Sequence, residues 1–357
     1  MRLYLAFLAA ALVLAGCTKG NGPQRLDFIN TTRYTSSNRT GLSPADTLAT
    51  RVFVENTDAA NSQLGRLRVT VYYQPRRNPF VYPTPLSAIN RDSIDKSSES
   101  LVYLDSALVD RKGQPLSNFT YTNVFGVRTT TGSERWQYDL KNNSGETTAS
   151  RAVRLGMRRS DSTAVYNDYT LRLIIPAIGV GTNDTVRTKS SRRFLHLRAG
   201  LALPAYTVVK AGAPDPTTQG VAQRLTDLII LRDGLTIVSP NSATLNAGTT
   251  PGLSPVLWPT NNRRKTLIYP TGLTASTFAN QLTDAAIQAI YTASSAGATT
   301  GEFVGPVAAG QVYAFRTDEI TDATTPHRYG LLLVVSVPAS TATTTTAGLQ
   351  LQVRMGK

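Results

Sequence analysis

The chain has 357 residues, of which 41% are hydrophobic and 17% charged, and its net charge is +14. That length fits two or more ordinary domains, and the composition is apolar enough to bury cores and too poor in charge for a disordered polyelectrolyte. One cysteine and two histidines exclude zinc fingers, disulfide scaffolds and iron–sulfur clusters, and with only one long apolar run, at the N-terminus, a multi-span membrane protein is excluded too.

Met1 and Arg2 give a short positive start, and residues 3–14 (LYLAFLAAALVL) form an apolar run of signal-peptide length. The next residues, Leu14-Ala15-Gly16-Cys17, resemble the bacterial lipobox, in which small residues admit the chain to a type II signal peptidase and the cysteine thiol receives diacylglycerol. On this reading residues 1–16 are a signal peptide and Cys17 is the lipidation site, bearing palmitate-type acyl chains. At about 0.8 kcal/mol per buried methylene, three such chains hold a protein at a membrane permanently. Residues 17–24 are a tether, because Thr18-Lys19-Gly20-Asn21-Gly22-Pro23 neither sustains a helix nor packs a core. Position 18 is not the aspartate associated with inner-membrane retention, and no acidic run follows Cys17. The outer membrane is therefore the expected location, with the periplasmic and cell-surface faces both open.

Short runs of alternating apolar and polar residues follow at 47–55, 67–73, 100–104, 119–127, 135–140, 149–155 and 169–175, separated by turn residues. Strands of this kind need two stacked sheets to hide their apolar faces. The segment Arg135-Trp136-Gln137-Tyr138-Asp139-Leu140, an Asn/Gly turn over 141–147 and a strand over 148–155 resemble the last hairpin of bacterial immunoglobulin-like domains. Residues 25–187 are accordingly expected to form an immunoglobulin-like β-sandwich. The boundary is placed near 187 because residues 176–193 are rich in Gly, Pro and small polar residues; 211–220 is a second candidate.

Beyond it, 227–231 and 235–238 read as buried strands. Residues 276–291 place Phe278, Leu282, Ala286 and Ile290 on one helical face, with Thr274 or Ser276 as N-cap. Strands return at 311–316, 329–337 and 347–354, so residues 188–357 read as a smaller α+β domain, an antiparallel sheet covered by one helix. The chain as a whole is mainly β. The order of these strands and the helix, including Gly310-Gln311-Val312-Tyr313-Ala314-Phe315-Arg316-Thr317 and Arg328-Tyr329-Gly330-Leu331, is similar to Bacteroidetes-type lipoproteins of uncharacterised function. The resemblance implies a location and a fold and no activity.

Groups able to do chemistry are sparse. His196 falls in a strand pattern and His327 in a polar loop, and both read as structural rather than as general bases. Serine-hydrolase, zinc-protease and nucleotide-binding motifs do not occur, so no catalytic residue, metal or cofactor is assigned. Asp92, Asp95 and Glu99 are the acidic cluster that a glycan-active enzyme would use. Asp318, Glu319 and Asp322 match no standard calcium loop and read as a solvated turn.

The positive charge is spread out: residues 25–187 carry 21 basic and 15 acidic groups, and residues 188–357 carry 14 and 8. An even excess argues against a single nucleic-acid groove, and no nucleic-acid partner is expected. Arginine-rich surface does suit the carboxylates and phosphates of acidic glycans or lipopolysaccharide. Residues 71–85 (VYYQPRRNPFVYPTP) concentrate Tyr72, Tyr73, Arg76, Arg77, Phe80 and Tyr82 in a proline-stiffened stretch. Rings and guanidiniums there are the candidate ligand-binding set, with a structural cap on the sheets as the competing reading. The expected function is a membrane-anchored, non-catalytic envelope lipoprotein, structural, adhesive or ligand-binding; the alternatives are a glycan-active enzyme or accessory subunit and a nucleic-acid binder.

Overall fold

A computed structural model describes residues 23–42, 47–58, 62–75, 99–110, 112–126, 132–157, 166–176, 191–209, 216–231, 235–242, 245, 257–281, 283–298, 301–318, 327–337 and 346–356. Among the described residues there are eighteen strands and four α-helices, so the chain is mainly β, built from antiparallel sheets. No described helix is long and apolar enough to cross a membrane.

The N-terminal strands form two sheets. One contains β1 (Gln24–Phe28), β3 (Thr47–Asn56) and β6 (Asn118–Gly126); the other runs β2-β8-β7-β4-β5. In the second sheet β2 is Arg39–Leu42, β4 Leu64–Pro75, β5 Glu99–Ala107, β7 Gly132–Asn142 and β8 Thr147–Met157. Period-two alternation builds them: Leu67, Val69 and Val71 of β4 and Trp136, Tyr138 and Leu140 of β7 are buried, while Arg68, Tyr72, Arg135, Gln137 and Asp139 face outward. The sheets meet through aromatic rings. Trp136 stacks on Phe125 of the three-stranded sheet at 4.5 Å and meets the edge of Tyr103 at 5.0 Å. Inside, the Thr50 and Tyr138 hydroxyls share a hydrogen bond, and Asn123 Nδ2 donates to Tyr138 at 3.2 Å. The β7–β8 hairpin forms as expected. Its reversal needs the left-handed backbone of Gly145 (φ 84°), and Asn142 Oδ1 accepts the Glu146 N–H at 2.9 Å.

The remaining strands make a single ten-stranded sheet, ordered β14-β16-β17-β18-β9-β10-β12-β13-β15, with β11 beside β10. Its members are β9 (Tyr166–Pro176), β10 (Arg192–His196), β11 (Leu201–Pro204), β12 (Leu228–Ile230), β13 (Ile237–Val238), β14 (Thr266–Pro270), β15 (Phe303–Val304), β16 (Val312–Asp318), β17 (His327–Ser336) and β18 (Thr346–Gly356). The strand read from the sequence at 169–175 belongs to this sheet: β9 pairs with β18 from Tyr166 to Pro176. The sheet curls until its end strands meet, where Ile268 N–H of β14 donates to the carbonyl of Gly301, just before β15, at 2.6 Å. Both faces are apolar in consequence. Tyr313, Phe315, Leu332 and Val334 point to the interior, and Val312, Ala314, Leu331 and Leu333 point outward beneath the helices. Gly330 is required where a Cβ would strike the Phe315 ring.

The four helices are α1 (Ala205–Val209), α2 (Pro216–Leu225), α3 (Ala275–Ala279) and α4 (Asp284–Ser295). The helix read at 276–291 is broken in two. Thr274 caps α3, Thr283 starts α4 by accepting the Ala286 N–H, and Arg354 Nη1 takes the carbonyls of Phe278, Ala279 and Gln281 at 2.8, 3.0 and 2.8 Å. The guanidinium satisfies backbone acceptors that the end of α3 leaves open.

The two sheet systems share a core. Phe194, Leu203, Ile229 and Trp258 from the ten-stranded side join Tyr103, Tyr121 and Trp136 in one cluster. Buried Arg192 donates to Tyr121 OH at 2.6 Å, and Tyr103 OH donates to Ala202 O at 2.8 Å. Trp136→Ala, which opens a cavity in that core, is expected to cost about 3–5 kcal/mol and to move a single urea transition, followed by circular dichroism, to lower denaturant. Two separate transitions, one of them unmoved, would contradict a continuous core.

Candidate functional site

Three polar constellations stand out, and they differ in how fully their charges are committed. The most buried surrounds Asp227, fully enclosed at the start of β12. Its Oδ1 accepts Arg264 Nη1 at 2.6 Å and Thr317 Oγ1 at 3.0 Å; its Oδ2 accepts the Leu197 N–H at 2.6 Å and faces His196 Nδ1 at 3.5 Å. Thr317 in turn accepts from Thr266 at 3.0 Å. These donors come from β10, β14, β16 and the chain just before β14, so one carboxylate ties together the strands at one end of the curled sheet. Burial alone would raise the Asp227 pKa, but the Arg264 charge and the His196 hydrogen bond outweigh it and hold the carboxyl at about 2. His196, which the sequence places in a strand, is the strand-end partner of this hub. It is buried, and its ring nitrogen is engaged in structure.

The second lies on the seam between the sheet systems, where Arg192 sits among Tyr103 and Tyr121, its guanidinium carbon 5.5 and 5.9 Å from their ring centres. Burial pushes the pKa of both hydroxyls up, and that of Tyr138 up to about 12, so all three stay neutral and able to donate.

The third is on the outer face of the five-stranded sheet. Register puts Tyr72 of β4 opposite Arg135 of β7, and Arg135 opposite Arg154 of β8, making one row across three strands. The Arg135 guanidinium lies 4.2 Å over the Tyr72 ring, and its Nε is shielded from solvent with no hydrogen-bond partner. Neither Arg135 nor Arg154 meets a carboxylate among the described residues. The acids on the same face are already taken. Asp105, fully buried, holds Arg66 at 2.8 Å and Arg68 at 2.7 Å. Asp139 Oδ1 accepts Gln137 Nε2 at 2.9 Å and Ser150 Oγ at 2.6 Å. The row therefore offers two guanidinium forks and an aromatic ring, a donor set for an oxyanion.

Of the ligand-binding residues chosen from the sequence, Tyr72 is in this row. Tyr73 continues β4 next to it, opposite Glu134 and Glu99, with its side chain outside the description. Arg76, Arg77, Phe80 and Tyr82 lie outside the described residues, as do Cys17, Asp92, Asp95, Glu319 and Asp322. Residues 76–98 leave β4 three residues beyond Tyr72. Arg135 and Arg154 carry no conspicuous local sequence signal; the β7–β8 hairpin register is what pairs them. Asp318 bonds His327 Nδ1 at 2.9 Å and lies 3.7 Å from Arg316 Nε. Among the described residues no group of three His, Cys, Asp or Glu side chains is placed to hold a metal ion.

No family model matches the chain, and no curated protein matches it. Among solved structures it is aligned with a DUF4466 family protein from Parabacteroides merdae, at 9% identity over 94% of this chain and 99% of that one, with a TM-score of 0.27. A structural-genomics protein of unknown function from Bacteroides ovatus aligns at 9% identity over 92% of this chain and 93% of that one, with a TM-score of 0.14. Likenesses this slight carry no argument about fold or activity.

The Asp227 hub has a measurable consequence. Asp227→Ala strands Arg264 in the interior and is expected to cost about 3–5 kcal/mol. Because the folded carboxyl titrates at about 2 and its ordinary value is 3.8, the stability it contributes is complete above about pH 4 and is lost as pH falls toward about 2. Urea titrations across that range should show wild type losing more stability than Asp227→Asn; parallel losses would show that the carboxylate is not the linked group.

Proposed function

We propose that the chain is a cell-envelope lipoprotein, moored to the outer membrane through acylated Cys17, whose non-catalytic β-rich body, beginning with an immunoglobulin-like unit over residues 25–187, captures an anionic envelope ligand such as an acidic glycan. The observation that carries this reading is the Leu14-Ala15-Gly16-Cys17 run behind the apolar segment 3–14, because it specifies one covalent chemistry at one atom. The body begins close behind it. Pro23 O accepts the Thr57 N–H at 2.7 Å and β1 starts at Gln24, so the six residues between Cys17 and Gln24 give a reach of about 25 Å at most. The body on this reading sits near the bilayer, joined to it at the end of the sheets where Gln24 Nε2 donates to Gln63 O at 2.8 Å and Thr148 Oγ1 to Gln24 Oε1 at 2.6 Å. The ligand set is Tyr72 together with Tyr73, Arg76, Arg77, Phe80 and Tyr82.

In a bacterial host with lipoprotein processing, the wild-type chain should incorporate labelled palmitate and partition into a Triton X-114 detergent phase. Cys17→Ser should lose the label and move to the aqueous phase. Retention of that variant in detergent would refute lipid mooring at this cysteine.

A further inference from the structure

We propose that Arg135 and Arg154 form an oxyanion site, completed by Tyr72, that takes the phosphoryl or carboxylate group of a soluble ligand at the end of the body farther from its mooring. This rests on the ligand-capture half of the reading above and adds two residues, a ligand chemistry and a direction.

Arg135 and Arg154 are directly opposed on adjacent strands, where side chains stand about 5 Å apart at Cβ and like charges destabilise the pair. The sheet shows how such charge is normally met: on β4, four residues before Tyr72, Arg68 is answered by buried Asp105. For Arg135 and Arg154 no such answer exists among the described residues, and an anion seated between them removes the repulsion.

Lying over the Tyr72 ring, the Arg135 guanidinium is held in one orientation, so little further freedom is lost when its N–H edge engages an oxyanion. Gln137, the next outward residue on β7, turns its amide to Asp139 at 2.9 and 3.1 Å rather than toward the arginines. On β8 the next outward position is Ala152, so the floor beside the pair is low.

The position of the row along β4 separates two sources of the same chemistry. The chain begins its body at the Gln63 end of β4, and Tyr72 lies nine residues further along, a separation of about 30 Å at strand rise. A short tether at the near end turns this row away from the bilayer that holds Cys17, which favours a soluble phosphorylated or uronate sugar over that bilayer's own headgroups.

The test uses the full chain in detergent at low salt, titrated with glucose 6-phosphate and with inorganic phosphate. Wild type is expected to bind both, and Arg135→Gln and Arg154→Gln each to weaken binding by about tenfold or more, the loss of one charge-assisted contact. Without ligand, Arg154→Gln should melt at or above the wild-type temperature, because it relieves repulsion; a residue serving structure alone would melt lower when removed. Absence of phosphate binding by wild type, or undiminished wild-type affinity in both variants, overturns the site. As a second arm, Cys17→Ser chain is mixed with phosphatidylglycerol vesicles: binding to them that is lost in Arg135→Gln would assign the site to headgroups and overturn the soluble-ligand inference. Detergent partitioning of the wild type, read in parallel, reports lipid mooring independently of either result.

Discussion

A carboxylate withdrawn from water must be met by donors, and this constraint arranges the molecule. Asp227 is met by a guanidinium, a hydroxyl, a backbone N–H and an imidazole, drawn from three separate stretches of chain. An ion pair buried this deeply adds little net stability over an apolar alternative, but a missing partner is severely destabilising. The curled arrangement of the ten-stranded sheet is what brings these donors to one point. Arg354 does comparable work at the other surface of the sheet, where three helix carbonyls converge on one guanidinium and fix where α3 ends.

Against that background the uncommitted charges are informative. Arg66, Arg68, Arg264 and Arg354 have structural assignments, whereas Arg135 and Arg154 face each other and meet no carboxylate among the described residues. On the outer face of the five-stranded sheet, Arg66 and Arg68 hold the fold through Asp105, and Arg135 and Arg154 are the pair left without a carboxylate among the described residues.

The sequence is legible where structure is local. Alternation in β3, β4, β7 and β8 places their strands, and the Asn-Asn-Ser-Gly turn places the β7–β8 hairpin, because both are set by neighbours a few residues apart. The helical face at 276–291 is legible for the same reason, but its break is not, since the guanidinium that ends α3 comes from Arg354, some 75 residues later. Likewise β9 reads as a strand without revealing that its partner is β18, and His196 reads as a strand residue without revealing Asp227, 31 positions away. The candidate site divides along this line. Tyr72 is conspicuous in an aromatic stretch, while Arg135 and Arg154 become conspicuous only when the hairpin register is carried through to the side chains it opposes.

Arginines with and without a carboxylate partner among the described residues coexist on the five-stranded sheet, and nitrogen-15 NMR of the arginine side chains separates them as inorganic phosphate is added. The Nε–Hε resonances of Arg135 and Arg154 should move together and saturate, while those of Arg66, Arg68 and Arg264 stay in place. Small, uniform, non-saturating shifts across all arginines would contradict it, because they would show a generally basic surface with no built site.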